Sequence, residues 1–143
     1  AAAWSGAGEA DTIMHVVDAG ARARMEHGGA KSGDSRMVED DDRVTEGLKK
    51  TEQKAILVLN KVDLMPRDQL LAMSQELYET GVYSEVFMIS AKTGSGVPQL
   101  REFIAGLMPE GVWHYPADQV ADLPARILAA EITREKVYLR LHE

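Results

Sequence analysis

No cysteine occurs among the 143 residues, which excludes disulfides and thiolate metal sites. No apolar run approaches the roughly 18 to 20 residues that a membrane-crossing helix needs, so a soluble chain is expected. No signal-peptide pattern opens it, and the simplest compartment is the cytoplasm. Positive charge is short as well. Against 23 Asp and Glu stand 16 Lys and Arg, a net −7, whereas gripping nucleic-acid phosphates needs a concentrated basic surface. This stretch is not expected to bind nucleic acid alone, although it can sit beside a basic domain. His15, His27, His114 and His142 lack metal-ligand spacing, and no serine, histidine and acid arrangement stands out. A starting methionine is missing too: the chain opens on Ala1 and closes on Glu143 inside a helical pattern, so both ends read as cut.

What is present is ordinary globular material, 45% apolar and 27% charged, enough for one domain or one plus a fragment. "DTIMHVVDA" gives a short apolar run, Ile13, Met14, Val16 and Val17, ending at Asp18 and read as a buried strand. "KAILVLN" has five consecutive apolar residues, Ala55 to Leu59, as a strand buried on both faces does. "SEVFMIS" is a third strand, ending at Ile89 and Ser90. Between the second and third, Leu70, Met73, Leu77 and Tyr78 fall at helical spacing, with Pro66 suited to a first turn and Gly81 to a stop. Strand, helix, strand implies a right-handed crossover and a parallel sheet. Val97, Leu100, Phe103, Ile104 and Leu107 mark a further amphipathic helix, with Pro98 near its start and Pro109 closing it. Residues 19–39 read as a long polar loop, mobile or inserted, with a helical look only from about Asp40 to Lys50. Residues 109–122 lack periodicity and read as a linker. Ile127, Leu128, Ile132 and Leu139 then begin a second helical unit.

The second strand runs directly into Asn60, Lys61 and Asp63, at the carboxyl end where open α/β sheets bind ligands. A carboxylate there can accept two hydrogen bonds from adjacent N–H groups. Guanine offers N1–H and its 2-amino group side by side, whereas adenine presents a lone pair at N1 and is repelled. Each charge-assisted bond contributes roughly 1.5 to 3 kcal/mol, so losing two together discriminates strongly. Thirty residues on, Ser90, Ala91 and Lys92 close the third strand. The Ala91 amide is expected to donate to guanine O6, and the stems of Lys61 and Lys92 to cover the base faces. Either motif alone arises by chance in about a few per cent of chains this long. Both in order, each ending a buried strand, fall to about one in a thousand.

Three other features are weaker. "HGGAKSGDS", His27 to Ser35, superficially suggests a phosphate loop, but Ala30 and Met25 stand where glycines are required, and it joins no strand to a helix. Glu39 to Asp42 has the charge for a divalent cation, yet a solvated helix start accounts for it better. His15, inside the first strand, reads as a packed core imidazole.

N-K-V-D at 60–63 and S-A-K at 90–92 resemble the fourth and fifth guanine-nucleotide motifs of the translation-factor-related GTPases. The Era family is the narrower resemblance. It rests on "MPEGVWHYPADQ", 108–119, similar to the segment joining GTPase and KH domains, and on "AAEITREKVYLRLHE", 129–143, which looks like the first KH helix. "AAAWSGAGEADTIMHVVDA" resembles the helix and strand after the switch region. The resemblance implies an α/β chain. Residues 1–108 would be the C-terminal part of a P-loop GTPase domain with a doubly wound parallel sheet, 109–122 a linker and 123–143 the start of a KH-like domain. It implies GTP or GDP as ligand, bound by Asn60, Lys61, Asp63, Ser90, Ala91 and Lys92, with Mg2+ in the intact protein only. For that intact protein it implies GTP hydrolysis, binding to the small ribosomal subunit and its rRNA through the KH part, a role in ribosome assembly, and peripheral association with the inner membrane. The phosphate loop, D-x-x-G, switch threonine and KH G-x-x-G are not found in this chain. Alone it is therefore expected to bind guanine nucleotides weakly and to hydrolyse none, because phosphoryl transfer depends on groups around the phosphates and magnesium. Missing strands would leave the first strand with a free edge, inviting self-association. Alternatives are another GTPase of the superfamily, acting in tRNA modification or metal trafficking, and a non-catalytic binding fragment.

Overall fold

The structure, a computed structural model, describes residues 10–111 and 125–141. The chain divides into two compact units, Ala1–Pro109 and Glu110–Glu143. The expected helix ahead of the first strand, most of the linker, and His114 and His142 lie outside the described residues.

In the first unit, β1 (Met14–Asp18), β2 (Ala55–Asn60) and β3 (Tyr83–Met88) form a parallel sheet in the order β1-β2-β3. Ala55 to Leu59 are between 0% and 2% exposed, as a central strand covered on both faces requires. On one face, Leu57, Leu59, Val17 and Tyr83 meet Ala19 and Ala23 of α1 (Ala19–His27), Leu48 of α2 (Asp34–Leu48), and Leu70, Met73 and Leu77 of α3 (Arg67–Glu79). On the other, Ile56, Val58 and Ile89 meet Leu100 of α4 (Val97–Leu107), with Val97, Phe103 and Ile104 half-buried beside it. Tyr78 and Leu107, expected on the packed faces, are exposed. The first strand also departs from a fully buried reading. His15 and Val17 point inward, but Met14 and Val16 are 45% and 47% exposed, because α4 covers the sheet only as far as β2 and β3.

Residues 19–39 are not a long loop. They form α1 and the first part of α2, joined by six residues, 28–33. Alanine and glycine hid α1 from the apolar pattern: Ala19, Gly20, Ala21 and Ala23 are buried because small residues let the helix approach the sheet. Charge pairing does the rest. Arg22 Nη1 donates to Asp42 at 3.1 Å, and Arg24 donates through Nε and Nη2 to both oxygens of Asp34 at 2.8 and 2.9 Å. His15 is indeed packed. Its Nδ1 is hydrogen-bonded to the Tyr83 hydroxyl at 2.8 Å, Tyr83 meets Thr45 Oγ1 at 3.0 Å, and His15 Nε2 lies 3.4 Å from Asp41. Burial, opposed by the Thr45 hydrogen bond, raises the Tyr83 phenol above its ordinary value.

In the second unit, α5 (Ala125–Leu141) is a single helix with an Arg134–Glu131 ion pair at 2.6 Å. Among the described residues no helix is long and apolar enough to cross a membrane.

Candidate functional site

The register of the sheet decides what meets at its carboxyl end. Asp18 lies opposite Asn60, and Leu59 opposite Met88, so the segments leaving all three strands emerge side by side. Asn60 Oδ1 accepts the Lys61 amide at 2.8 Å and the Ala91 amide at 3.0 Å. One carboxamide oxygen thus ties the loop after β2 to the loop after β3. The Val62 amide adds a second tie by donating to Ile89 O at 3.2 Å.

Lys61 follows at φ +64°, the single non-glycine residue with positive φ among the described residues. That left-handed conformation costs about 1 to 2 kcal/mol for an L residue, and the amide bond to Asn60 offsets part of it. The chain then makes one tight turn, Val62–Leu64, which leaves Asp63 on the outside. The Asp63 carboxylate is exposed and has no hydrogen bond or ion pair with any described residue. The Lys61 ammonium is engaged: Nζ donates to Asp18 Oδ2 at 2.5 Å, while Asp18 Oδ1 accepts the Ala21 amide at 2.9 Å and caps α1.

On the other side, Ser90 builds its loop. It is 1% exposed, donates its amide to Ser95 O at 2.9 Å, and accepts the Thr93 amide at Oγ and the Gly94 amide at its carbonyl. Lys92 is exposed and unpaired among the described residues. The arrangement offers free acceptors at Asp63, the alkyl stems of Lys61 and Lys92, and the unspent Nδ2 hydrogens of Asn60.

The structure brings all six expected residues to one end of the sheet. The Ala91 amide, expected to face a base, is spent on Asn60, and Ser90 faces inward. Asp18 was not among the expected residues. Its one signal in the sequence was that it ends the apolar run read as the first strand; its place opposite Asn60 and its capping of α1 come from the structure.

The weaker features resolve against ligand binding. In "HGGAKSGDS" the Lys31 amide donates to Asp34 at 2.8 Å, and Asp34 also receives Arg24, so the segment closes on itself. These bonds, led by the Arg24 pair, lower the Asp34 carboxyl to about 2. Glu39 to Asp42 lie inside α2 rather than at its start. Asp40 pairs with Arg43, Asp41 with His15, and Asp42 with Arg22. Among the described residues no group of three or more His, Asp or Glu side chains is placed to hold a metal.

No protein-family model matches the chain. Relatives are nevertheless close. The chain is 54% identical over 142 residues to GTPase Era of Caulobacter vibrioides, covering 99% of the chain and 45% of that protein. It is 44% identical over 142 residues to GTPase Era of Erythrobacter litoralis, covering 99% and 42%. It thus spans less than half the length of these curated relatives. Among solved structures, it resembles Era in complex with MgGDPNP and nucleotides 1506–1542 of 16S ribosomal RNA, with TM-score 0.65, 31% identity, and 90% of this chain and 39% of that one covered. An Aquifex aeolicus Era variant bound to GDP and AlF4− matches with TM-score 0.60 and 33% identity over the same shares.

Proposed function

Because the chain belongs to the Era family of GTPases, we propose that it supplies the guanine-reading part of a GTP-binding, rRNA-binding protein of ribosome assembly. The observation that carries this reading is the unpaired Asp63 carboxylate standing outside a turn that Asn60 locks to the Ser90–Lys92 loop. Asp63 accepts guanine N1–H and the 2-amino group together. The stems of Lys61 and Lys92 cover the base faces, and the Ala91 amide reaches guanine O6 while still shared with Asn60 Oδ1. Asn60 and Ser90 act by holding the two loops. Relatives that carry the name GTPase Era favour this reading over another member of the superfamily.

For the whole protein we propose GTP hydrolysis with Mg2+, and binding to small-subunit rRNA, as the solved Era complex with MgGDPNP and 16S rRNA suggests. We assign residues 1–108 to the GTPase domain, 109–122 to a linker and 123–143 to the opening of a KH-like domain, with α5 as its first helix. For this chain alone we propose weak guanine-nucleotide binding and no hydrolysis, because phosphoryl transfer depends on groups around the phosphates and magnesium and neither a phosphate loop nor D-x-x-G is found in its sequence. Inner-membrane association is proposed only as a peripheral one, with no spanning helix among the described residues.

Asp63→Asn tests the base reader. An asparagine at this position still accepts N1–H but donates where guanine also donates, and it pairs instead with the xanthine 2-oxo group. Titrations followed on the amide resonances of Asn60, Lys61 and Ala91 should show wild type preferring GDP to XDP, and the variant reversing that preference by at least about tenfold. An unchanged ratio of the two affinities would sink the assignment.

A further inference from the structure

We infer that Asp18 is a positioning residue for the purine site, holding Lys61 so that its alkyl stem is laid out in advance as a cover for the base. The inference rests on the base-reading role proposed above. Lys61 is fixed at both ends, its amide donating to Asn60 Oδ1 at 2.8 Å and its ammonium to Asp18 Oδ2 at 2.5 Å. A lysine that must lie along a flat ring ordinarily surrenders most of its rotamer freedom on binding. One that is already tethered surrenders less, and preorganisation of this kind raises affinity without adding a contact.

Asp18 is the rigid member of the pair. Its side chain is 14% exposed against 51% for Lys61, and its second oxygen is committed to the Ala21 amide. Gly20 lies close behind it: a Cβ there would stand 3.3 Å from Asp18 Oδ1, 3.2 Å from Arg24 Nη1 and 3.3 Å from Leu64 Cδ1. The β1–β2 register sets Asp18 directly opposite Asn60, so the carboxylate and the loop it steadies stay in fixed relation. What Lys61 offers the base is an apolar stem, which does not distinguish one purine edge from another. Asp18 therefore sets how tightly any purine nucleotide is held, while Asp63 selects which one.

The test uses the full chain with GDP, IDP and XDP as probes, read on the same amide resonances. Asp18→Asn keeps an N-cap acceptor for α1 but removes the charge that tethers the ammonium. It should weaken GDP and IDP by the same factor, about three- to fivefold, as expected for a partly exposed ion pair. Combined with Lys61→Met, which keeps an apolar stem but has no ammonium, it should add nothing. A changed GDP-to-IDP ratio, a further loss in the Lys61→Met background, or no loss while Asp63→Asn still switches base preference overturns the role of Asp18 alone. Absence of any nucleotide response in wild type, or an unchanged preference in Asp63→Asn, overturns the base reading and the role of Asp18 with it. Should Asp18→Asn fail to fold, Lys61→Met leaves the cap untouched and must by itself show the uniform loss; a base-dependent loss or none overturns the proposal.

Discussion

Gly96 turns the chain from the loop after β3 into α4 at φ +73°, where an added Cβ would stand 2.3 Å from the Met88 carbonyl oxygen. Two costs coincide at this residue, the left-handed backbone and a collision with main chain that cannot swing aside. Gly81 has only the first, at φ +77° with nothing within 4 Å of the added carbon. Gly96→Ala should therefore lower unfolding free energy by about 2 to 4 kcal/mol, and Gly81→Ala by about 1 kcal/mol. Paired urea denaturation curves check this, and equal losses would contradict it. The residues proposed for the site differ in how legible they were. Asn60, Lys61, Asp63, Ser90, Ala91 and Lys92 could be read because strand ends announce themselves by an abrupt change from apolar to polar. Asp18 ends a strand in the same way, but its partner lies 43 positions away, and the segment after it reads as a loop, so nothing local marks the contact. The engagement of the Ala91 amide by Asn60 was hidden for the same reason, being a contact across 31 positions that local pattern does not record.

At the scale of elements, β2, β3, α3 and α4 were legible because their apolar residues carry the period of the structure. α1 and the start of α2 were not, because they are held by small residues and ion pairs that leave no apolar stripe. The pin between them is Asp34, buried at the start of α2, receiving both nitrogens of the Arg24 fork and the Lys31 amide. These bonds lower its carboxyl from the ordinary 3.8 to about 2. A carboxyl whose folded value is depressed stabilises the fold fully above its unfolded value, and that stabilisation is lost as pH falls toward the folded value. The window is therefore from about pH 4 down to about pH 2. Asp34→Asn should melt below wild type at pH 6, and the gap between the two melting temperatures should close across that window. A gap that stays constant down to pH 2 would show that the Arg24 pair contributes nothing specific to joining α1 and α2.

For the molecule as a whole, the balance between burial and exposure is uneven across the sheet. β3 presents Ser84 and Glu85 outward at its start, a polar beginning that discourages pairing. β1 does not: among the described residues no strand lies beyond it, and Met14 and Val16 stand 45% and 47% exposed on the face that α4 does not reach. An unpaired edge with adjacent apolar side chains is a template for a second copy, because backbone hydrogen bonding and apolar burial are satisfied in one event. The net charge of −7 opposes such association at low salt, and screening weakens that opposition as salt rises. Sedimentation at about 100 μM, a concentration at which exposed edges commonly associate, should show the chain self-associating, more so at high salt than at low. Val16→Lys places a charge on the open face beside that edge and should return the chain to a monomer without changing its far-ultraviolet spectrum. A wild-type monomer at both salt concentrations would mean that the β1 edge is already protected, and association of Val16→Lys equal to wild type would place the contact elsewhere.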